Sequence, residues 1–173
     1  MKKIINFSFV LFLICLIFIT FYQKPKDVII LVKNNTLINN SLDEYINTNG
    51  VSISVEYYNS DDELMNLLKN GKYDLVICSI NNEKELKYNK LIKEIDKNKI
   101  PNYRNIKEEY ISDSNNYIPL YIDNNELYGA FITSNNIKNL NVIDYLLKAD
   151  VNASLIKDNN FICINWASEK FYL

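Results

Sequence analysis

The sequence contains no histidine, one arginine and only three glycines in 173 residues. Without histidine, Ser-His-Asp catalysis and imidazole acid–base chemistry are excluded, and most zinc sites lose a usual ligand. No Walker loop, dinucleotide-binding turn or nucleophile elbow is present. The densest charge clusters, Asp61–Glu63 and Lys107–Glu109, are typical of a helix first turn and a solvated face. We therefore expect no enzymatic activity, no cofactor and no metal site.

Cysteine is also scarce, with three residues in the chain. Cys15 lies in the apolar N-terminal run, while Cys78 and Cys163 lie in the short apolar runs "LVICS" and "FICIN". Two thiols in an exported domain could form a disulfide. They could equally be ordinary buried side chains, so the sequence leaves a Cys78–Cys163 bridge open.

The N-terminal residues 1–23 have the pattern of a signal peptide or a signal anchor. Lys2 and Lys3 precede the apolar run Ile4–Tyr22, which as a helix would be about 28 Å long and close to the hydrocarbon thickness of a bilayer. Small residues typical of a cleavage site are missing after it, which favours an uncleaved transmembrane helix. Lipidation at Cys15 is an alternative, although Ile14 stands where a lipobox has a small residue. The rest of the chain is therefore expected at the extracytoplasmic face of the membrane, in the periplasm or outside the cell.

Charge and length limit what the remaining chain can be. Beyond Lys3 it carries 17 basic and 21 acidic residues, a net charge of −4. A mildly acidic surface argues against nucleic acid as a partner and is compatible with a cationic ligand. Residues 27–173 suit one domain with a real core.

The first half of this domain alternates buried strands with helices. Val28–Val32 is a continuous apolar run, and Asp74 leads into a second one that ends at Cys78, whereas Val51–Tyr58 alternates and predicts a half-exposed strand near a sheet edge. Capping boxes at Ser41 and Ser60 predict two helices, which Gly50 and a left-handed Gly71 would end. This order predicts an α/β fold with a mostly parallel sheet and helices on both faces.

The second half predicts a short helix over Asn82–Asn89, a hairpin and one further helix. The strands "YIPLYI" and "LYGAFIT" would pair across a polar turn at Asp123–Glu126. Asn141 would cap the last clear helix, and "NFICIN" would close the domain as an extended tail.

Polar side chains follow both buried strands. Ligands of such sheets bind outside the carboxyl ends of the strands, where strand order reverses. Ser79 could also simply cap the helix that follows it. We expect the residues that follow these strands, together with the hairpin turn, to contact a small polar solute: Lys33, Asn34, Thr36, Ser79, Asn81 and Asp123.

Several segments resemble the spermidine/putrescine-type solute-binding proteins of ABC transporters, which are periplasmic binding proteins of type II. The clearest are "VSISVEYYNSDDELMNLLKNGKYDLVICS", "LIKEIDKNKIPNYRNI" and "YIPLYI". Members of that family are about twice as long and insert a second lobe where this chain has only the turn 123–126. The resemblance implies one lobe, residues 27–173, with an ABC permease or another lobe-supplying chain as partner.

The departures from the family lie at its ligand site. Lys33 and Thr36 stand where the family has two aromatic residues, and Asn81 replaces a third. Aromatic faces and carboxylates are what bind a flexible polycation, so we expect an eroded site and weak polyamine binding. The sequence leaves two functions open: a solute-binding domain of a transport system, or an interaction or sensor module that binds no small ligand.

Overall fold

The computed structural model describes residues 27–34 and 36–171, which form a single five-stranded sheet covered by helices. The strands are β1 (Val28–Lys33), β2 (Ile53–Tyr58), β3 (Leu75–Ser79), β4 (Ile118–Asp123) and β5 (Glu126–Ile132). The helices are α1 (Asn39–Asn49), α2 (Asp61–Asn70), α3 (Glu83–Tyr88), α4 (Lys138–Leu146) and α5 (Ala149–Asn159). Short 3₁₀ turns occur at Ile80–Asn82, Lys97–Lys99, Pro101–Asn105, Glu108–Tyr110 and Ser168–Phe171.

The sheet order is β2-β1-β3-β5-β4. β1 lies between β2 and β3 and is parallel to both, with Val32 opposite Tyr57 and Ile77. β5 is antiparallel to β3 and to β4. The α/β fold and the parallel pairing of β1 with β3 are as predicted from the apolar runs, and the half-exposed β2 lies at the sheet edge. The sheet is mixed rather than mostly parallel, because β5 pairs antiparallel with both β3 and β4.

Two apolar cores cover opposite faces of the sheet because successive strand residues point to opposite sides. Leu75 and Ile77 of β3 join a core with α1, α4 and α5. Val76 and Cys78 join the other core, which contains the buried face of α2 and Leu86 of α3. The result is three layers with the sheet in the middle.

One of the two predicted capping boxes is correct. The Ser60 hydroxyl accepts a hydrogen bond from the Glu63 amide at 3.2 Å, and α2 starts there. Ser41 does not cap α1, which begins two residues earlier at Asn39. The early start aligns Ile38 with Leu42 on the buried side, where both are at most 1% exposed. The Ser41 hydroxyl is left buried and has no hydrogen-bond partner among the residues that the structure describes.

The two helix-ending glycines act differently. Gly50 has φ 62° and ends α1 in the predicted left-handed conformation. Gly71 is extended, with φ −99°, so the left-handed prediction there is wrong. Glycine is required at this position for space, because a Cβ would lie 2.3 Å from the Tyr73 ring.

The last part of the chain contains more helix than predicted. α4 begins at Lys138, so Asn141 lies inside it rather than at its cap. The second helix, α5, was not predicted from the sequence. The hairpin turn Asp123–Glu126 is present, with Asn124 and Asn125 at φ 48° and 66°.

No helix within residues 27–34 and 36–171 is long and apolar enough to span a bilayer. The predicted transmembrane segment 1–23 and Cys15 lie outside the described residues.

Candidate functional site

The carboxyl ends of β1 and β3 meet at one edge of the sheet, which we call the carboxyl edge. β1 ends at Lys33 and β3 ends at Ser79, and the two strands are adjacent and parallel. Asn34 and Thr36 follow Lys33, and Asn81 follows Ser79 by two residues. The strand arrangement therefore places these predicted residues along a common rim.

The β4–β5 hairpin brings two carboxylates to the same edge. Tyr128 of β5 lies opposite Ser79, and Asp123 lies opposite Glu126 across the hairpin turn. The left-handed conformation of Asn124 and Asn125 is the one that a tight two-residue hairpin requires. Asp123, a predicted site residue, therefore lies at the carboxyl edge together with Glu126, which was not predicted.

Lys33 is held at the centre of this edge by a tyrosine. Its Nζ donates a hydrogen bond to the Tyr128 hydroxyl at 2.7 Å. That bond raises the pKa of Lys33 above its usual value, and the charges of Asp123 and Glu126 act in the same direction. Burial acts against the shift. Lys33 is thus a paired cation beside two acids rather than an isolated positive charge.

A buried aromatic stack supports the edge from below. The Tyr121 ring lies between Tyr128, at a centroid distance of 5.3 Å, and Phe161, at 4.1 Å, and both pairs are stacked. Burial raises the pKa of Tyr121, and nearby Thr36 acts against that shift. The Tyr121 hydroxyl nevertheless makes no hydrogen bond of ordinary geometry within the described residues. A fully buried polar atom without a partner therefore lies beneath the predicted site.

Ser79 serves mainly as a cap. It is 7% exposed, and its hydroxyl accepts the Asn81 amide at 3.3 Å. Asn81 is exposed, and its side-chain amide lies 3.5 Å from a carboxylate oxygen of Glu126. The structural role considered for Ser79 is thus present, and Asn81 is the more accessible of the two.

Asn34 is exposed to solvent, whereas Thr36 is buried. The Asn34 side chain donates to Asn59 at 2.8 Å, and Asn59 donates in turn to Glu63. The hydrogen bonds that the backbone amide and the side chain of Asn59 donate to the Glu63 carboxylate lower the pKa of Glu63. Thr36 is only 4% exposed. Of the six predicted contacts, Lys33, Asn34, Asn81 and Asp123 are accessible, whereas Thr36 and Ser79 are buried.

Sequence reasoning assigned Glu126 only to the hairpin turn and Tyr128 only to the strand that follows it, so neither was predicted as a site residue. The position of Tyr128 opposite Ser79 depends on the β3–β5 register, which no local pattern gives. Trp166 donates its indole N–H to the Arg104 carbonyl at 3.2 Å.

Cys78 and Cys163 are both free thiols, so the bridge left open by the sequence is not present. Cys78 belongs to the core on the α2 side of the sheet, and Cys163 packs against the core on the α1 side. The sheet separates them. Burial raises the pKa of both thiols.

No family model matches the sequence, and no curated protein matches it either. Solved structures do share the fold. A Listeria monocytogenes protein named for a spermidine/putrescine ABC transporter superposes with a TM-score of 0.75 at 9% identity, over 83% of this chain and 85% of that chain. The binding protein MotA from A. tumefaciens B6, in complex with glucopine, gives 0.64 at 6% identity, over 84% and 86%.

A third solved structure is much longer than this chain. The spermidine/putrescine substrate-binding protein PotD from Streptococcus pneumoniae superposes with a TM-score of 0.50 at 22% identity. The match covers 54% of this chain and 31% of that one. At these identities the likeness shows the fold alone. The resemblance predicted from the sequence is therefore confirmed at the level of fold: the described residues fold like the substrate-binding proteins of ABC transporters, spermidine/putrescine-type proteins among them.

Proposed function

We propose that this chain is a single lobe of the solute-binding type, residues 27–173, tethered to the extracytoplasmic face of the membrane by residues 1–23. It would serve an ABC transport system by presenting its carboxyl edge to a small polar solute. The observation that carries the proposal is the convergence of β1, β3 and the β4–β5 hairpin on one edge. In open α/β sheets this edge is where ligands bind.

The side chains at the carboxyl edge favour a small solute bearing an amine. Asp123 and Glu126 provide two carboxylates, and Lys33 is engaged with Tyr128. Carboxylates bind ammonium groups through charge-assisted hydrogen bonds. The Lys33 ammonium group would bind an anionic group of the same solute. This favours an amino-acid-like zwitterion over a polyamine, which has no anionic group.

Polyamine binding is expected to be weak for a physical reason. Tyr121 is 0% exposed, and Tyr128 is 3% exposed with the Lys33 Nζ already 5.3 Å from its ring centroid, so neither ring face is free for a cation–π contact with a solute. Tyr57 of β2 is 39% exposed, but it lies one strand away from the β1–β3 pair, and its hydroxyl accepts from Asn39. A single lobe also removes less of the ligand from water than a two-lobed cleft does.

A thermal-shift screen of the full chain in detergent tests the proposal. Polyamines, amino acids and sugars would each be added at millimolar concentration. A ligand at a hundred times its dissociation constant stabilises the folded state by about 2.7 kcal/mol. We expect a shift with a small amino acid that Asp123→Asn reduces and the surface control Lys84→Gln does not. A flat response to the whole panel would contradict solute binding.

A second function, docking to another protein, is favoured by apolar side chains beside the carboxyl edge. Leu37 follows β1 and is 57% exposed, and Ile162, which pairs with Ile122 of β4, is 52% exposed. Copurification of the full chain from native membranes distinguishes the two functions. A transport component is expected to bring down a permease and its ATPase. A docking module would bring down another chain and give no thermal shift with solutes.

A further inference from the structure

The opposite edge of the sheet, where β1 and β3 begin, carries a cavity lined by lysines. We call it the amino edge. The cavity has a volume of about 560 Å³. Its lining includes Ile29 of β1, Asp74 before β3, and Thr133 after β5. Three lysines from two connections also line it: Lys72 before β3, and Lys90 and Lys93 after α3.

Backbone hydrogen bonds fix these connections side by side. The Asp74 amide donates to the Ile29 carbonyl at 2.9 Å, and the Lys93 amide donates to the Ile132 carbonyl at 2.8 Å. Lys72 lies two residues before Asp74, and Lys90 lies three residues before Lys93. The three ammonium groups are therefore gathered by the fold, although they are spread over 22 positions in sequence.

The lysine charges are not neutralised within the described residues. Lys72, Lys90 and Lys93 are exposed and make no salt bridge with a carboxylate of residues 27–34 or 36–171. Asp74, the carboxylate in the lining, accepts the Ile29 amide at 2.9 Å and the Ser134 hydroxyl at 2.6 Å. These neutral donors hold the carboxylate without removing its charge, and because three lysines outnumber one carboxylate the lining carries a net positive charge.

The N-terminal segment joins the domain beside this cavity. Asp27 is tied to the start of β2 by reciprocal bonds with Ser52, and Lys138 of α4 lies 2.6 Å from its carboxylate. Only Gln23–Lys26 separate Asp27 from the end of the apolar run at Tyr22. Asp27 follows Tyr22 by five residues, and a fully extended chain of that length spans at most about 17 Å. Two more lysines, Lys24 and Lys26, are in that segment.

The carboxyl edge has the opposite sign. Asp123 and Glu126 lie there, and the acidic first turn of α2 begins next to the end of β2. Strands of five to seven residues separate the two edges by roughly 17–20 Å. The two edges therefore differ in charge balance: Lys72, Lys90 and Lys93 outnumber Asp74 in the cavity of the amino edge, whereas acidic residues outnumber Lys33 at the carboxyl edge.

From this arrangement we infer that the amino edge rests on an anionic phospholipid surface, with Lys72, Lys90 and Lys93 against the head groups. The inference rests on the proposed tether, which places this edge within about 17 Å of the bilayer. Each lysine near an anionic surface strengthens binding about fivefold, within a Debye length of roughly 8–10 Å. The carboxyl edge then points away from the membrane. A chain that completes the ligand cleft would reach it from the extracytoplasmic side.

Lysine acylation of the full chain in vesicles tests the inference. The chain is reconstituted in phosphatidylcholine alone or mixed with phosphatidylglycerol, and a membrane-impermeant reagent labels the amines for mass spectrometry. We expect labelling of Lys72, Lys90 and Lys93 to slow about tenfold on the anionic vesicles. Lys84 and Lys157, in the first turn of α3 and the last turn of α5, serve as controls and should not change. Equal labelling at both sets on both vesicles would overturn the inference.

Flotation separates this inference from the tether. Flotation that survives high salt shows the tether, and the labelling pattern then decides the inference. If the chain floats only at low salt and only on anionic vesicles, the tether fails. The lysine surface then stands if K72Q/K90Q/K93Q weakens flotation about 100-fold and K84Q/K99Q/K157Q does not. A chain that floats under neither condition overturns both.

Discussion

Replacing Asp74 by alanine tests the contact that locks β1 beside β3. The Asp74 carboxylate accepts the Ile29 amide at 2.9 Å and the Ser134 hydroxyl at 2.6 Å, so one side chain joins β1 to the loop after β5. Hydrogen bonds to a charged group contribute about 1.5–3 kcal/mol each. Because Asp74 is partly exposed, we take the lower value for both bonds. Asp74→Ala should therefore lower the free energy of unfolding by about 3 kcal/mol.

Asparagine at the same position should cost less. Its amide oxygen can still accept the Ile29 amide, but its NH₂ would face a Ser134 hydroxyl oxygen that already accepts from Asn136 and Asn139. We expect Asp74→Asn to lose about 1.5 kcal/mol, because one of the two bonds persists. The two variants therefore separate loss of both bonds from loss of one.

Urea unfolding followed by circular dichroism measures these differences, and a loss of 3 kcal/mol would lower Tm by roughly 6–12 °C. Asp43→Ala is the matched control, because Asp43 is exposed on α1. An Asp74→Ala variant within about 0.5 kcal/mol of that control would refute the reasoning. It would show that the side chain does not join β1 to the β5 loop.

Three further predictions concern the turn, the thiols and pH. Asn125 has φ 66°, so Asn125→Val should destabilise by about 1–2 kcal/mol while Asn125→Gly should not; thermal melts compare them, and equal melts would contradict the turn. Under native conditions Cys163 should react with iodoacetamide well before the fully buried Cys78; peptide mass spectrometry measures this, and equal rates would contradict the burial. The pKa of Glu63 is lowered by bonds from Asn59, so its contribution to stability is present above about pH 4.5 and is lost as the pH falls through its folded pKa. Glu63→Gln should thus destabilise at pH 7 and much less in acid, and a pH-independent difference in urea midpoint would contradict this.

The sheet could be predicted from sequence because its strands are marked by burial. The continuous apolar runs Val28–Val32 and Leu75–Cys78 and the alternation at Val51–Tyr58 each correspond to a strand in the structure. Helix α5 was missed because an asparagine interrupts its apolar positions. This residue, Asn152, is fully buried and is satisfied by Leu120 and Ser168, which is a tertiary arrangement that no local pattern reveals.

The candidate site was predictable only in part. The residues that directly follow β1 and β3 were found, since strand ends can be read from the apolar runs. The side chains that these residues contact were not found. Tyr128 meets Lys33 across 95 positions of sequence, and Glu126 reaches Asn81 through the β3–β5 register. Ser41 shows the same limit in a helix, since burial of Ile38 overrides a good capping sequence.

Hydrogen exchange of the full chain, with and without millimolar glycine or putrescine, tests most directly whether the carboxyl edge binds solute. We predict that protection on ligand addition is confined to residues 33–36, 79–82 and 123–128, and that glycine gives more protection than putrescine. Protection at the lysine cavity of the amino edge, or at the cavity of about 700 Å³ lined by residues between Glu94 and Asn115, would contradict the assignment. So would an unchanged exchange pattern at the carboxyl edge with both solutes.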